Sequence, residues 1–343
     1  MKFLRLFYIG ALLLVLSSCK KDDDAVATPS LNGILRIEGL EEYITQKQKL
    51  TMKPTGARHP DGKIIGYSWR VSPSMTKSDT TRYSNGLDKP DDSGQPSDGS
   101  FTYTFSDTLK TYVVSCQAFA SGYTSLSAVG YTTIVKGGKD GSIKGIDFPS
   151  ESFATTDSTI YYYKAIGAQT WMVNNICEAR GGKAFKGAEA MSNVYGRYYT
   201  YNEAVTICDT LEGGNKWKLP SKAEWETLEG YIDSDIIDDK TISVAAALMV
   251  DATFNDKEMW EFWPKVGDIT NASGFSAIPT GYANLDAETF TGEFEYSVFW
   301  TSTENPSDSN QAYCKYIYCD QPDVFDGSSD KESFGASVRC IRK

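Results

Sequence analysis

Apolar and polar residues alternate in short segments from Leu31 to Val135, which is the pattern of β-strands. In the stretch 64–71 one strand face carries four apolar or aromatic side chains, namely Ile65, Tyr67, Trp69 and Val71. The stretches 101–105, 111–119 and 130–135 alternate in the same way. Short strands of this kind, with no helical period between them, predict an antiparallel β-sandwich over residues 31–136.

The pattern changes in residues 150–343, where helical spacing comes before further strands. One helix is predicted to end at Gly213, and its inner face consists of Ala204, Val205, Cys208 and Leu211. Ser221 with Glu224 three residues later is a capping box that predicts the start of a second helix. The inner face of this helix consists of Trp225, Leu228 and Ile232. A third helix is predicted near 243–249, so this half has an α+β plan.

The two patterns are separated by the glycine-rich stretch 137–142. Its composition predicts a flexible boundary. We therefore expect a multidomain chain with a sandwich at residues 31–136, a linker at 137–149 and an α+β domain at 150–343. Each predicted domain is long enough to bury its own apolar core.

The first residues of the chain predict where the protein acts. Lys2 and Arg5 precede an apolar run at 6–16, and small residues follow it. The run is too short to span a bilayer as a helix, and this order of basic, apolar and small residues is typical of a secretory signal.

The tetrad at 16–19, Leu-Ser-Ser-Cys, resembles the lipobox of bacterial lipoproteins. The resemblance implies a signal peptide at residues 1–18, acylation of Cys19 and an acylated linker at 19–30. The charged run at 20–24 resembles the export tag of lipoproteins in Bacteroides-like bacteria. Together these resemblances imply a lipoprotein of the outer membrane, exposed on the cell surface, with outer-membrane lipid as the partner of its N-terminus.

Charge and residue usage exclude several classes of function. The chain has 34 Lys and Arg against 45 Asp and Glu, for a net charge of -11. Such a surface repels phosphate backbones, so we expect no nucleic-acid partner. The sole histidine, His59, lies in a turn-like string that predicts a surface position, and a catalytic triad or a multi-histidine zinc site cannot be built around it. We expect no enzyme activity, because no catalytic constellation is visible.

The N-terminal strands resemble the PKD and immunoglobulin-like modules of bacterial surface proteins. The resemblance rests on the order of a Tyr-x-Trp strand, a Phe-Thr-Tyr-Thr-Phe strand and the strand that contains Cys116. It implies that Trp69 is the core tryptophan, that Cys116 comes from the facing sheet, and that the module acts as a spacer. Because no second cysteine lies in this segment, Cys116 is predicted to be a buried free thiol.

A series of motifs from about residue 150 to 343 resembles the Fibrobacter succinogenes major paralogous domain. In chain order the motifs are Gly167-Ala168-Gln169-Thr170-Trp171-Met172, Tyr195-Gly196-Arg197-Tyr198-Tyr199, Trp217-Lys218-Leu219-Pro220-Ser221, Gly274-Phe275-Ser276-Ala277, Phe299-Trp300-Thr301-Ser302 and Ser337-Val338-Arg339-Cys340. The family is similar to the C-type-lectin-like fold. That fold is shared with formylglycine-generating enzymes and with some hypervariable binding proteins, and the motifs imply it for residues 150–343.

The resembled fold implies a disulfide between Cys208 on the first helix and Cys340 near the terminal strand. Cys314 and Cys319 are five residues apart on an alternating strand, so they point to opposite faces and are not expected to bond to each other. Cys177 could pair with either of them.

The resemblance also implies that the segment from Trp300 to Asp308 contacts a ligand. In the lectin-like fold this region carries carboxylate and amide ligands for calcium and sugar hydroxyls, and the residues here are Trp300, Glu304, Asn305 and Asp308. Calcium is the one cofactor that this implies. The Glu-Pro-Asn and Trp-Asn-Asp motifs of calcium-dependent lectins are absent from the sequence.

These patterns lead to a hypothesis of function. We expect a lipid-anchored adhesion or binding protein of the cell surface that recognises a glycan or a surface protein through its C-terminal domain. Two alternatives remain open at this stage: a glycan-active enzyme that uses a pair of carboxylates, and a structural subunit of a fimbrial or outer-membrane assembly.

Overall fold

The computed structural model describes residues 28–63, 65–73, 81–85, 98–237, 242–260 and 268–343. The predicted signal peptide and Cys19 lie outside these residues. The described chain is rich in β-strands with a few short helices, in agreement with a β-rich protein of more than one domain. None of the helices in these ranges is long and apolar enough to cross a membrane.

The described part of residues 30–135, which we call the N-terminal unit, forms two sheets. Its strands are β1 (Asn32–Glu38), β2 (Tyr43–Thr45), β3 (Lys49–Arg58), β4 (Gly66–Ser72), β5 (Thr81–Asn85), β6 (Phe101–Thr104), β7 (Thr111–Phe119) and β8 (Leu126–Val135). One sheet has the strand order β1-β3-β6 and the other the order β2-β8-β7-β4-β5. Neighbouring strands are antiparallel except β2 and β8, which are parallel. Both sheets contribute side chains to one apolar core.

Trp69 lies in this core and is fully buried, as predicted. Its indole Nε1 donates a 2.9 Å hydrogen bond to the carbonyl oxygen of Gly99. Cys116 is a buried free thiol, also as predicted, and burial raises its pKa to about 12. The expectation that Cys116 comes from the facing sheet is wrong, because β4 and β7 are neighbours in one sheet and Cys116 is the direct partner of Trp69.

His59 occupies a turn as predicted, but it is buried and not on the surface. The turn is closed by the N–H of Gly62, which donates a 3.0 Å hydrogen bond to the His59 carbonyl oxygen. The imidazole packs edge-on against the ring of Tyr123, with 4.5 Å between ring centroids. Its Nδ1 accepts a hydrogen bond from the N–H of Asp61 at 3.0 Å. These contacts explain the histidine as part of the turn.

The described part of residues 143–343, which we call the C-terminal unit, mixes short helices with several small sheets. Its strands are β9 (Ile143–Lys144), β10 (Ser152–Ala154), β11 (Ile160–Ile166), β12 (Gln169–Met172), β13 (Lys183–Ala184), β14 (Arg197–Tyr198), β15 (Trp217–Lys218), β16 (Thr253–Phe254), β17 (Lys257–Glu258), β18 (Tyr282–Asn284), β19 (Thr289–Thr291), β20 (Tyr296–Glu304), β21 (Gln311–Tyr318), β22 (Val324–Asp330), β23 (Phe334–Gly335) and β24 (Ile341–Arg342). Its α-helices are α1 (Ser192–Tyr195), α2 (Tyr201–Thr210), α3 (Lys222–Tyr231) and α4 (Val244–Leu248). The larger sheets have the orders β10-β11-β12-β24-β15 and β20-β21-β22.

The capping box predicted for α3 is present. The Ser221 hydroxyl oxygen accepts a hydrogen bond from the N–H of Glu224 at 3.2 Å, and the Glu224 carboxylate accepts one from the N–H of Ser221 at 2.8 Å. The predicted inner face of this helix is fully buried and consists of Trp225, Leu228 and Ile232. The predicted third helix is α4, and its cap is the side chain of Ser243.

The inner face predicted for α2 is wrong at one position. Val205 is 38% exposed, and the buried face consists of Tyr201, Ala204, Ile207 and Cys208. Consecutive residues on an α-helix are about 100° apart, so Val205 lies beside the buried stripe that contains Ala204. The helix also begins with a capping box, formed by Thr200 and Glu203, that the sequence analysis missed.

The stretch 137–149 was predicted from its composition to be flexible, but it packs against the C-terminal unit. Its first half folds back on itself, since the N–H of Ser142 donates a 2.7 Å hydrogen bond to the carbonyl oxygen of Lys136. The strand β9 then pairs with β16. A Cβ atom on Gly137 would lie 2.1 Å from the carbonyl oxygen of Asn193, so this glycine permits a close approach of two backbone segments.

Two further contacts join β2 and β8 to the C-terminal unit. Val135, the last residue of β8, is buried in a cluster that includes Ile143 and Phe185. The Lys186 ammonium lies 2.9 Å from the carboxylate of Glu42 and 5.8 Å from the ring centre of Tyr43. The two units are therefore held together by packing as well as by the covalent chain.

The disulfide between Cys208 and Cys340 is present, which confirms the predicted pairing. It joins α2 to the residue before β24 and closes a sequence separation of 132 residues. Cys177 is a free thiol, so the expectation that it pairs with Cys314 or Cys319 is wrong. Its sulfur lies 3.3 Å from the hydroxyl oxygen of Tyr161.

Candidate binding surface

The sheet β20-β21-β22 contains the residues that the sequence analysis singled out, and its strand register determines what each face presents. Tyr296 lies opposite Tyr318, and Tyr316 lies opposite Phe325. These four residues share one face of the sheet, because alternate residues of a strand point the same way. Lys315 lies on the other face, which packs against α3.

Lys315 is the buried member of an ion-pair cluster, and its side chain is 1% exposed. Its Nζ lies 2.8 Å from a carboxylate oxygen of Glu229 on α3 and 2.8 Å from one of Asp326 on β22. The other oxygen of Asp326 lies 2.9 Å from the ammonium of Lys222. The cluster fixes α3 to the sheet through opposite charges.

The two carboxyl groups of this cluster have pKa values shifted in opposite directions. Burial raises the pKa of Glu229 above its ordinary value even though Lys315 opposes the change. Burial also acts to raise the pKa of Asp326, but hydrogen bonds and ion pairs with Lys315 and Lys222 outweigh it and leave that pKa below the ordinary value. The Glu229 carboxylate therefore depends on Lys315 more than the Asp326 carboxylate does.

Trp300 is fully buried, which corrects the expectation that it contacts a ligand directly. Its indole Nε1 donates a 2.7 Å hydrogen bond to the carbonyl oxygen of Tyr199. Its ring packs edge-on against the rings of Tyr201 and Phe334, at centroid distances of 5.7 and 5.6 Å. The start of α2 covers this end of the sheet, so no ring face of Trp300 is available for stacking.

The predicted ligand residues Glu304, Asn305 and Asp308 lie at the turn between β20 and β21. A Glu304 carboxylate oxygen lies 2.8 Å from the ammonium of Lys331. The side-chain oxygens of Asn305 and Asp308 each accept a 3.0 Å hydrogen bond from the N–H two residues further along. These side chains stabilise the turn itself, and the role of the loop in ligand binding stays a prediction.

This loop does not fit a calcium site. Calcium needs several oxygen ligands that converge on one point, whereas Glu304 is paired with Lys331 and the oxygens of Asn305 and Asp308 cap their own turn. Among the described residues, no three His, Cys, Asp or Glu side chains lie close enough to hold a metal ion. We assign no metal to the loop.

The opposite end of the same sheet face, together with the neighbouring strands β18 and β23 of another sheet, carries a continuous group of aromatic rings. This group, which we call the aromatic surface, consists of Tyr282, Tyr296, Tyr316, Tyr318, Phe325 and Phe334. The rings of Tyr316 and Tyr318 are nearly parallel, with 6.0 Å between centroids and 12° between planes. Tyr318 also contacts Tyr296 at 5.1 Å and Phe325 at 5.9 Å. Phe325 is 41% exposed, and the other rings are half-buried.

Two glycines leave the space that these rings occupy. A Cβ atom on Gly327 would lie 2.6 Å from the ring of Tyr316, and one on Gly292 would lie 2.0 Å from the ring of Tyr296. Burial raises the pKa of Tyr316 to about 12 and that of Tyr296 further above its ordinary value. Both hydroxyl groups are thus protonated at neutral pH and can donate as well as accept a hydrogen bond.

The aromatic surface offers what a binding site for sugar rings or apolar side chains needs. Its ring faces are apolar and lie in fixed positions, and its tyrosine hydroxyls supply polar contacts at the edges. A rigid platform also loses little conformational entropy when a ligand binds. These are features of a surface that binds a ligand.

The sequence analysis did not identify this surface. Four other large aromatic residues of the C-terminal unit are 0% exposed and belong to its core, namely Trp171, Trp217, Trp225 and Phe275. A signal was present in Tyr316 and Tyr318, which alternate on one strand. Phe325 joins them only through strand register, and Tyr282 comes from a strand of another sheet.

Comparison with known proteins gives one family match. A model of the family described as the Fibrobacter succinogenes major domain matches residues 165–342, which include α2, α3 and the whole aromatic surface. No protein of established function in the curated collections matches the chain.

Proposed function

The chain belongs to the family of the Fibrobacter succinogenes major domain, and we propose on that premise that it is a lipid-anchored binding protein of the bacterial outer surface. The C-terminal unit binds a glycan through the aromatic surface, and the N-terminal unit holds it away from the membrane. The observation that carries the proposal is the cluster of half-buried rings on an otherwise well-packed sheet.

One ring of this group, Phe325, is exposed, and the other five are half-buried and reach the surface beside it. Contiguous aromatic side chains at a protein surface often mark a binding site. A glycan is the ligand we propose, since flat tyrosine faces stack on pyranose rings while hydroxyl groups bind at the ring edges.

We also propose the finer fold assignments that the sequence analysis made. A C-type-lectin-like fold for the C-terminal unit is supported by the disulfide between α2 and the residue before the last strand. A PKD or immunoglobulin-like fold for the N-terminal unit is supported by its two sheets around Trp69.

The path of the chain supports a spacer role for the N-terminal unit. Ser30 forms a parallel bridge with Thr124, just before β8, and the N–H of Leu31 donates a hydrogen bond to the Thr124 carbonyl oxygen at 3.2 Å. The chain leaves the unit after Val135, at the other end of β8. The chain therefore enters and leaves the unit at opposite ends of β8. A strand of ten residues is about 33 Å long, which is the distance between the entry and exit points.

The lipid anchor leads to a prediction about Cys19. Replacing Cys19 by alanine should move the protein from the membrane fraction to the soluble fraction or leave it unprocessed, because its acyl chains are the proposed attachment. Detergent partitioning and cell fractionation measure this. Cys116→Ala is the matched control, since it removes a thiol elsewhere in the chain and should stay membrane-bound. Membrane association of the Cys19 variant would remove the lipoprotein assignment.

The aromatic surface leads to a prediction about glycan binding. A glycan array probed with the soluble form should identify a ligand, and the double variant Tyr318→Ala, Phe325→Ala should bind that ligand at least about tenfold more weakly, because two stacking contacts are lost. Tyr131→Ala is the control, because this tyrosine of the N-terminal unit is 58% exposed and distant in sequence from the sheet.

The same assay separates the competing sites and functions. If Glu304→Ala with Asn305→Ala abolishes binding while the aromatic variant binds normally, the ligand lies at the loop and our site is wrong. Cleavage of the bound glycan would favour the glycan-active enzyme. A protein partner recovered by cross-linking, with no glycan bound on the array, would favour the structural subunit.

A further inference from the structure

A cavity of about 600 Å³ lies where the two units meet. Its wall is formed by the end of β2, the packed stretch after β8, the segment 157–162 and the segment 173–177. Its volume is within the range of small-molecule binding sites, which is about 300 to 1,000 Å³. The cavity is distinct from the aromatic surface, and no residue of that surface lines it.

A buried cation lies in the wall of this cavity. Arg339 is 1% exposed, and all of its hydrogen-bond partners among the described residues are neutral. Its Nε donates to the side-chain oxygen of Asn175 at 2.6 Å, and its terminal nitrogens donate to the carbonyl oxygens of Phe275 at 2.6 Å and Ser276 at 2.9 Å. In the described chain no carboxylate forms an ion pair with it. The guanidinium charge is thus solvated by dipoles and is not neutralised.

Two more cations line the cavity, and among its described lining residues there is one carboxylate. Lys136 and Lys139 are exposed, and neither forms an ion pair with any described residue. The carboxylate is that of Asp157, which already accepts a 3.1 Å hydrogen bond from the N–H of Thr159. Three cations against one anion make this cavity locally positive in a chain whose net charge is -11. The electrostatic field therefore favours an anionic ligand.

A pair of aromatic rings completes the lining. Phe148 and Tyr162 are both half-buried, and their ring centroids are 4.7 Å apart. Their faces add an apolar platform to a wall that is otherwise rich in amide and hydroxyl groups. This combination of a cationic rim, polar walls and a ring platform is the chemistry that recognises a sugar with a carboxylate substituent.

We propose that this cavity binds an acidic sugar of one or two rings, with its carboxylate near Lys136 and Lys139 and its ring against Phe148 and Tyr162. The buried Arg339 in the cavity wall adds to the positive electrostatic potential. The inference concerns a second site and does not rest on glycan binding at the aromatic surface.

The test is titration calorimetry of the intact soluble chain with D-glucuronate and with digalacturonate, using D-glucose as the neutral comparison. At least one of the acidic sugars should bind with a Kd of about 1 mM or tighter, and D-glucose at least about tenfold more weakly. Raising the salt concentration should weaken the binding, since exposed charges are screened. Absence of binding by both acidic sugars, or equal affinity for D-glucose, would overturn the proposal.

Variants locate the binding. The double variant Lys136→Gln, Lys139→Gln should lose about tenfold in affinity, and Phe148→Ala a similar amount. Lys144→Gln is the matched control, because Lys144 is an exposed lysine in the same stretch that does not line the cavity. Unchanged affinity in the double lysine variant would overturn the assignment. Loss of uronate binding in the double variant Tyr318→Ala, Phe325→Ala would also overturn it, because the sugar would then lie at the aromatic surface.

Discussion

Replacing Lys315 by methionine should destabilise the C-terminal unit by about 3 to 5 kcal/mol, whereas replacing Lys222 by methionine should cost about 1 kcal/mol. Both lysines pair with Asp326, but the Lys315 side chain is 1% exposed and that of Lys222 is 29% exposed. Removal of Lys315 leaves the half-buried carboxylate of Glu229, which is 22% exposed, without its cation. Urea unfolding followed by tryptophan fluorescence measures the difference.

The effect of the Lys315 substitution should depend on pH. Burial already raises the pKa of Glu229, and loss of Lys315 raises it further. A carboxyl group whose pKa is higher in the folded than in the unfolded state binds its proton more tightly when the protein is folded. The free energy of unfolding therefore falls as the pH rises from the unfolded-state pKa to the folded-state pKa. The cost of Lys315→Met should therefore be larger at pH 7 than at pH 5.

A second substitution tests the cause of this cost. Adding Glu229→Met to Lys315→Met should recover most of the lost stability and remove the added pH dependence, because an apolar pair of similar size replaces the buried charges. Equal costs for Lys315→Met and Lys222→Met would contradict the interpretation, and so would a double variant no more stable than Lys315→Met alone.

Removing the disulfide should have an effect of similar size. The double variant Cys208→Ala, Cys340→Ala should lose roughly 4 to 5 kcal/mol of unfolding free energy by the chain-entropy estimate, since the bond closes a separation of 132 residues. The loss should be confined to the C-terminal unit, because the core around Trp69 contains no residue of that unit.

Hydrogen exchange measured peptide by peptide distinguishes the two units in this experiment. Exchange should accelerate in α2 and around β24 and stay unchanged in β4 and β7. Cys177→Ala is the control, since it removes a thiol that forms no disulfide. If reduction of the native protein leaves the unfolding midpoint of the C-terminal unit unchanged, the stabilising role of the bond is wrong.

Local signals in the sequence predicted the helices and much of the core. The Ser221 and Glu224 capping box depends on residues three apart, and it is present as predicted. The alternation around Trp69 likewise placed that side chain on an apolar strand face, the resemblance to a known module implied that it is the core tryptophan, and it is fully buried. The disulfide needed more than local information, because only the resemblance to a family implied that Cys208 and Cys340 meet.

Features that depend on contacts between distant segments could not be read from the sequence. The aromatic surface exists because strand register brings Phe325 opposite Tyr316. Trp300 is enclosed by residues around Tyr199, which lie about a hundred positions earlier in the chain. The stretch after Val135 has the composition of a flexible linker, but β9 pairs with β16 and packs it in place.

The parallel bridge between Ser30 and Thr124 determines how the N-terminal unit responds to mechanical force. A pull applied before residue 30 and after residue 135 acts along β8 in opposite directions. The segment at residues 29–31 and Thr124, two residues before β8, would then slide past each other. Their hydrogen bonds, at 2.8 and 3.2 Å, would bear the load together and not one after another. Bonds loaded in shear resist rupture better than bonds that unzip in turn. A unit built in this way would keep its length under tension, as the spacer role that we propose for it requires.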